Sequence, residues 1–139
     1  MIKYLLDTNV VSEAIKKSPN QSVMHHFARY QQEIATASPV WHELQYGCTR
    51  LPASKKRTLI EAYLSEVVWN NLTILPYDEK AANWHAVQRA RLELNGKSTS
   101  FVDGQIAGIA ATNGLTLVTR NISDFASFSD LILENWHME

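Results

Sequence analysis

Four acidic residues stand in well-separated segments of the 139-residue chain, each beside an apolar run: Asp7, Glu43, Asp103 and Asp124. Asp7 closes the run Ile2-Lys3-Tyr4-Leu5-Leu6, and Asp124 follows Leu115-Thr116-Leu117-Val118-Thr119 by a short turn. If both runs are strands of one parallel sheet, both acids reach the carboxyl edge where ligands gather. Glu43 lies three residues after Val40 and four before Gly47, on the border of a helical apolar stripe. Asp103 is followed one turn on by Ile106, Ala107 and Ala110, which puts its carboxylate beside a packed face. An unpaired buried carboxylate costs several kcal/mol or shifts its pKa, so such acids call for a partner. Arg50, Arg89, Arg91 and Arg120 could supply separate ion pairs, and a strand-end Asp also serves simply as a helix cap. One divalent cation accounts for all four acids together. Hard ions such as Mg²⁺ and Mn²⁺ take carboxylate and water oxygens, which suits a set without cysteine or histidine pairs.

Composition limits what else the chain can be. Thirteen Lys+Arg against fourteen Asp+Glu leave a formal charge of -1, so a polyanion would be held by a local patch or a metal, not by bulk charge. A hydrophobic share of 45% with 19% charged residues argues against disorder, and the length suits one domain spanning 1–139. The lone cysteine, Cys48, can form neither an internal disulfide nor a cysteine-based zinc site, which fits a reducing compartment. Only Tyr4-Leu5-Leu6 separates Lys3 from Asp7, too short for a signal peptide, and no apolar run approaches the roughly 18 residues needed to cross a bilayer. The expected location is cytoplasmic, with no membrane partner.

To hold the acids together the chain must alternate strands with helices, and its patterning does so. Strands are expected at Ile2–Leu6, Glu33–Ala37, Leu72–Leu75 and Leu115–Thr119, with a weaker last one at Leu131–Leu133. Between them, a helix runs through Val10, Val11, Ala14 and Ile15, and another from Asn20 to Tyr30 on Val23, Phe27 and Tyr30. Ser38 offers a capping hydroxyl with Pro39 at the first helical position, ahead of a buried face of Val40, Leu44, Gly47 and Leu51 that Pro52 ends. Ser54 to Val68 reads as a helix with an apolar stripe of Leu59, Ala62, Tyr63 and Val67. Asp78 caps a long helix through Ala81, Trp84, Ala86 and Leu92, and Ser100 starts one through Val102, Ile106, Ile109 and Ala110 that Gly114 stops. Strands separated by helices imply parallel pairing and a sheet covered on both faces, an α/β fold in three layers.

With these elements in place, the acidic segments resemble a known family. Leu5-Leu6-Asp7-Thr8-Asn9-Val10-Val11-Ser12-Glu13 is similar to the opening strand and turn of the PIN-domain ribonucleases, and more narrowly of the VapC-type toxins of bacterial VapBC toxin–antitoxin pairs. Ser38-Pro39-Val40-Trp41-His42-Glu43-Leu44-Gln45-Tyr46-Gly47 resembles the second motif of that family. Phe101-Val102-Asp103-Gly104-Gln105-Ile106-Ala107 resembles the third, and Leu117-Val118-Thr119-Arg120-Asn121-Ile122-Ser123-Asp124-Phe125 the fourth. Each motif is short, but their order, spacing and full-length coverage make the combined resemblance specific.

The resemblance implies a PIN-like α/β/α fold with a parallel sheet of about five strands flanked by helices. It carries over Asp7, Glu43 and Asp103 as catalytic, metal-site acids with Asp124 as the fourth, binding Mg²⁺ or Mn²⁺. Some members place the fourth acid nearer the strand end, where this chain has Asn121; the ionisable carboxylate favours Asp124. Thr8, Asn9, Thr119 and Asn121 would orient carboxylates or metal-bound waters. The implied activity is endoribonucleolytic cleavage of structured RNA, often tRNA, leaving a 3′-hydroxyl and a 5′-phosphate. The implied partner is a VapB-type antitoxin whose C-terminal segment blocks the acidic pocket, in a homodimer or a toxin–antitoxin hetero-oligomer. Phe27, Tyr30, Leu59 and Tyr63 are candidates for such contacts, and Lys97 and Arg120, close to motif loops, for RNA phosphates. A haloacid dehalogenase phosphatase would want an acid where Asn9 stands, and a receiver domain wants adjacent acids and a strand-end lysine. A catalytically inactive PIN-like module that only binds RNA or protein is the remaining alternative, and the presence of all four acids weighs against it.

Overall fold

Among the described residues, 1–138, the computed structural model contains five short strands: Tyr4–Leu6 (β1), Ile34–Ala37 (β2), Thr73–Leu75 (β3), Thr116–Val118 (β4) and Leu133–Glu134 (β5). All pair in parallel, in the order β3-β2-β1-β4-β5. Successive strand residues point to opposite faces. Leu5 and Leu6, Ala35 to Ala37, and Leu117 with Val118 are all buried in succession, so helices cover both faces of the central strands. This is the three-layer α/β/α arrangement expected. The last strand begins two residues later than anticipated, at Leu133 rather than Leu131. No helix of the described residues is long and apolar enough to cross a membrane.

The helices are Thr8–Val11 (α1), continued by a 3₁₀ turn over Ser12–Ile15, Gln21–Tyr30 (α2), Ser38–Thr49 (α3), Lys55–Tyr63 (α4), Trp69–Asn71 (α5), Glu79–Leu94 (α6), Phe101–Thr112 (α7) and Ile122–Phe125 (α8). Four begin on side-chain caps at the residues where the sequence starts a helix, Ser54 among them, which accepts from the Arg57 N–H at 3.1 Å. Asn20 accepts from the Val23 N–H at 3.1 Å, Asp78 from Ala81 at 3.0 Å, and Ser100 from Asp103 at 3.0 Å. Gly114, at φ 66°, ends α7 in the left-handed conformation that glycine adopts without strain.

Two local expectations fail. Ser38 does not cap α3: Ala37 holds the extended cap position, Ser38 is the first helical residue and its hydroxyl accepts from the Tyr77 N–H at 3.2 Å. The reason is that β2 runs into α3 without an intervening turn, so the last strand residue takes the cap geometry. Ser54–Val68 is not one helix either, because α4 gives way to a π-helical stretch over Leu64–Val68 before α5. Leu59 is 71% exposed and Val67 43%, whereas Leu64 and Val68 are buried. The wider turn shifts the inward face one residue along, and Tyr63 anchors it by donating its hydroxyl to the Val11 carbonyl at 2.6 Å.

Candidate active site

The strand order creates the site. β1 lies between β2 and β4, so the chain leaving β1 and the chain leaving β4 diverge and open a crevice at their carboxyl ends. The register pairs Leu6 with Val118, which sets Asp7 beside Thr119 at that edge. The Asp7 N–H donates to the Val118 carbonyl at 2.9 Å. Its carboxylate accepts the Thr119 hydroxyl on Oδ2 and the Thr8 N–H on Oδ1, both at 2.8 Å. Thr119 Oγ1 in turn accepts from the Asn121 N–H at 3.0 Å. Asp7 is thus held at both oxygens while further lone pairs remain free.

Asp103 sits in the first turn of α7, half-buried, and Asp124 on the short α8, exposed. Burial is the main force raising the Asp7 carboxyl above the ordinary carboxylate range; Thr119 and Thr8 oppose it, and the charge of Asp124 adds to it. Burial likewise raises Asp103, opposed by Ser100 and reinforced by Asp7 and Asp124. Three acids from three segments therefore share one region and repel one another. Asp103 and Asp124 line a groove of about 560 Å³ with Lys97, Ser98, Thr99, Ser100, Ser123 and Ser127.

Glu43 is placed differently. It is exposed on α3, beside buried Val40 and partly buried Leu44, and its charge is not among those that raise the Asp7 and Asp103 carboxyls. Asn9 and Asn121 are exposed, and Arg120 is exposed just beyond β4. None of the four acids forms an ion pair among the described residues. Of the arginines that could have neutralised them, Arg89 lies by Glu93, Arg91 on Gln88 and the Ser127 carbonyl, and Arg50 against the Tyr46 ring, while exposed Arg120 pairs with none of the acids. The separate ion-pair reading therefore fails.

Sequence reasoning missed what holds the acid-bearing turns in place. Ala81, His85, Gln88 and Leu92 form a buried stripe on α6 at four-three-four spacing, with two polar members. His85 shares a 2.8 Å hydrogen bond with the Tyr77 hydroxyl, and burial, with the Arg89 charge as a lesser cause, lowers its pKa. Its ring lies so close to Gly104 that a Cβ there would meet Nε2 at 2.0 Å. That contact sets the α6–α7 distance in the turn that carries Asp103. Gln88 Oε1 accepts from Arg91 at 2.8 Å and from the Ser129 N–H at 3.0 Å, while Arg91 reaches the Ser127 carbonyl at 2.9 Å. These bonds tie down the segment that follows Asp124. The spacing was a usable signal, but polar residues on it read as solvent-facing.

Among the described residues, no three His, Cys, Asp or Glu side chains close on one point as a ready-made cage. An open set of carboxylates nevertheless suits Mg²⁺, which keeps several waters and is usually bound through one or two carboxylates. Hard oxygen donors that form no ion pair among the described residues fit that ion.

Fold and site define the class. The PIN domain model matches residues 4–130, and the chain belongs to the PIN-domain family. Within it, the chain is 34% identical over 134 residues to ribonuclease VapC2 of Rickettsia felis, covering 96% of this chain and 97% of that one. It is 32% identical to the tRNA(fMet)-specific endonuclease VapC of Shigella flexneri over 98% of this chain and 99% of the relative. The crystal structure of VapBC2 from Rickettsia felis bound to a promoter DNA fragment superposes with a TM-score of 0.83 at 35% identity, covering 98% and 99% of the two chains. The relatives are VapC ribonucleases, and the fold is theirs.

Proposed function

We propose that this protein is a metal-dependent endoribonuclease toxin that cleaves structured RNA, tRNA in particular, and is inhibited by a VapB-type antitoxin. The observation that carries the reading is the grouping of Asp7, Asp103 and Asp124 at the β1–β4 crevice without a cationic partner among the described residues. These three, with Glu43 contributing from α3, would hold Mg²⁺ or Mn²⁺. Such an ion, when bound, polarises the phosphate and acidifies the attacking water.

The chain's own residues supply the rest. Thr119 and the Thr8 N–H lock the Asp7 carboxylate in one orientation, so it meets its ligand without first ordering itself. His85 and Gly104 fix the turn that presents Asp103. The clustered carboxylates by themselves would repel RNA, and a divalent cation held by Asp7, Asp103, Asp124 and Glu43 would offset them, letting a protein of net charge -1 take a polyanion there. Lys97, in the groove beside Asp103 and Asp124, and exposed Arg120, beyond β4, would take flanking phosphates.

For the antitoxin, support comes from the VapBC2 neighbour, a toxin–antitoxin complex by its name, and from a hollow in which apolar side chains alternate with the amides of Gln31, Gln32, Asn70 and Asn71. That hollow, about 510 Å³, is lined by Leu6, Val11, Phe27, Tyr63, Val67 and Leu72 among others, including two of the residues expected at a partner groove. A homodimer, or a hetero-oligomer with antitoxin, would cover it together with exposed Leu59 and Trp69.

The deciding experiment is sequencing the RNA ends produced by purified protein on tRNA with Mg²⁺, beside an Asp7→Asn control. Discrete cuts with 5′-phosphate ends that need both the ion and Asp7 are expected. Intact RNA, or cuts equal in the two proteins, would leave only a binding module.

A further inference from the structure

Two residues before Asp103, an aromatic ring stands open to solvent. Phe101, the first residue of α7, is 51% exposed. It rests against the buried His85 ring, with centroids 4.9 Å apart and planes inclined at 57°. The Arg89 guanidinium carbon lies 5.4 Å from the Phe101 ring centroid. Phe101, Arg89, Lys97, Ser98 and Thr99 line a hollow of about 250 Å³. Lys97, Ser98 and Thr99 also line the groove that contains Asp103 and Asp124, so the two spaces adjoin across these residues.

We propose that this hollow is a nucleobase subsite: an unpaired base beside the cleaved bond stacks on Phe101, while Arg89 and Lys97 hold the adjoining phosphates. The proposal rests on the ribonuclease reading above. Unpaired bases of RNA loops stack on aromatic rings and on arginine planes, and that stacking tolerates any base. Both surfaces are present here, next to the acids. The only ion pair of Arg89 among the described residues is with Glu93 at 3.5 Å, and both side chains are more than half exposed. Such a pair is screened and weak, so the guanidinium can turn to a phosphate at little cost. Arg89 over the ring and Lys97, which lines both spaces, give the hollow two cations against the single acid Glu93, a balance that matches a polyanion better than a neutral protein surface. The site also explains why a large apolar side chain stands half in water at the mouth of the site, where a polar residue would serve α7 equally well.

The test uses a fluorescein-labelled RNA hairpin with a single 2-aminopurine moved through its unpaired loop, bound in Mg²⁺ to the Asp7→Asn protein. At one loop position, binding is expected to change the 2-aminopurine emission. Adding Phe101→Leu, which keeps an apolar cover over His85, should abolish that change and weaken binding by roughly tenfold; Phe101→Tyr should retain both. In the otherwise native enzyme, Phe101→Leu should raise KM for the hairpin by roughly tenfold and leave kcat nearly unaltered. RNA binding and emission unaffected by Phe101→Leu would overturn the subsite, as would a loss confined to antitoxin capture. If the native protein fails to cut RNA while the Phe101-dependent emission change persists, the ribonuclease reading falls and the subsite stands.

Discussion

Asp7 and Glu13 flank the same short helix, and both are almost wholly buried, yet their surroundings are opposite. Glu13 is surrounded by donors: the Asn20 N–H at 2.9 Å, His137 Nε2 at 2.9 Å and Lys16 Nζ at 3.1 Å. Burial works to raise its carboxyl, but these partners outweigh it and hold the pKa at about 2. It staples the C-terminal segment to the start of α2, helped by Asn20 Nδ2 donating to the His137 carbonyl. Asp7 receives two neutral hydrogen bonds, no cation, and the field of another acid, so burial prevails and its pKa rises. Burial alone does not separate a structural carboxylate from a functional one. The sign of the neighbouring charge does.

Substitutions can break this contrast, beginning with the largest effect. Asp7→Asn should lower RNA cleavage by roughly a thousandfold or more, because a lost carboxylate forfeits several kcal/mol of transition-state stabilisation. Circular dichroism should show the fold intact, and retained cleavage would erase the distinction between the two acids.

Glu13→Gln should do the reverse. It leaves buried donors poorly matched, costs about 3 kcal/mol and lowers Tm by roughly 10 °C, while cleavage per folded molecule is unchanged. The depressed pKa gives a pH signature with a definite sign. Stabilisation by Glu13 is complete above its ordinary pKa of 4.5 and is lost as pH falls toward about 2. Denaturant titrations over that window should therefore show wild type losing stability that Glu13→Gln never had.

Gly104→Ala tests the support of the functional acids. Its Cβ would lie 2.0 Å from His85 Nε2, so α6 and α7 must separate. We expect a loss of about 1–3 kcal/mol in thermal unfolding, and a fall in kcat as Asp103 moves. Asp103→Asn should have the smallest effect on stability, and a positive one. With its pKa raised, Asp103 is ionised at neutral pH at a cost to the folded state, and that cost disappears as pH falls through the raised value. Tm should rise by a few degrees at neutral pH without metal, and the gain should vanish below the ordinary value of 3.8. A clear loss at neutral pH would mean that Asp103, like Glu13, is a staple.

Much of this was legible along the chain, because helix starts and apolar periodicity are settled within a few residues. Asn20, Asp78 and Ser100 cap where their types suggest, and Gly114 stops α7. What failed depends on neighbours far away. Ser38 has the type and place of a helix cap, yet β2 runs straight into α3 and Ala37 takes the cap geometry. Leu59 and Val67 repeat at helical spacing, but the π-helical stretch turns Leu64 and Val68 inward instead. The types of His85 and Gln88 give no sign that they are buried, because their partners Tyr77, Arg91 and Ser129, which make that burial tolerable, meet them only in the fold.

Local residue chemistry was enough to put acids at strand ends and helix starts, and to demand that strands and helices alternate. It could not say which strands would be neighbours. Placing β1 against β4 brings Asp7 and Thr119, 112 positions apart, to 2.8 Å, and the packing of α6 sets Arg89 by Glu93 and Arg91 on the Ser127 carbonyl, neither in an ion pair with the acids. Strand order and charge pairing follow from burying all the apolar surface at once, a collective balance that no short segment contains.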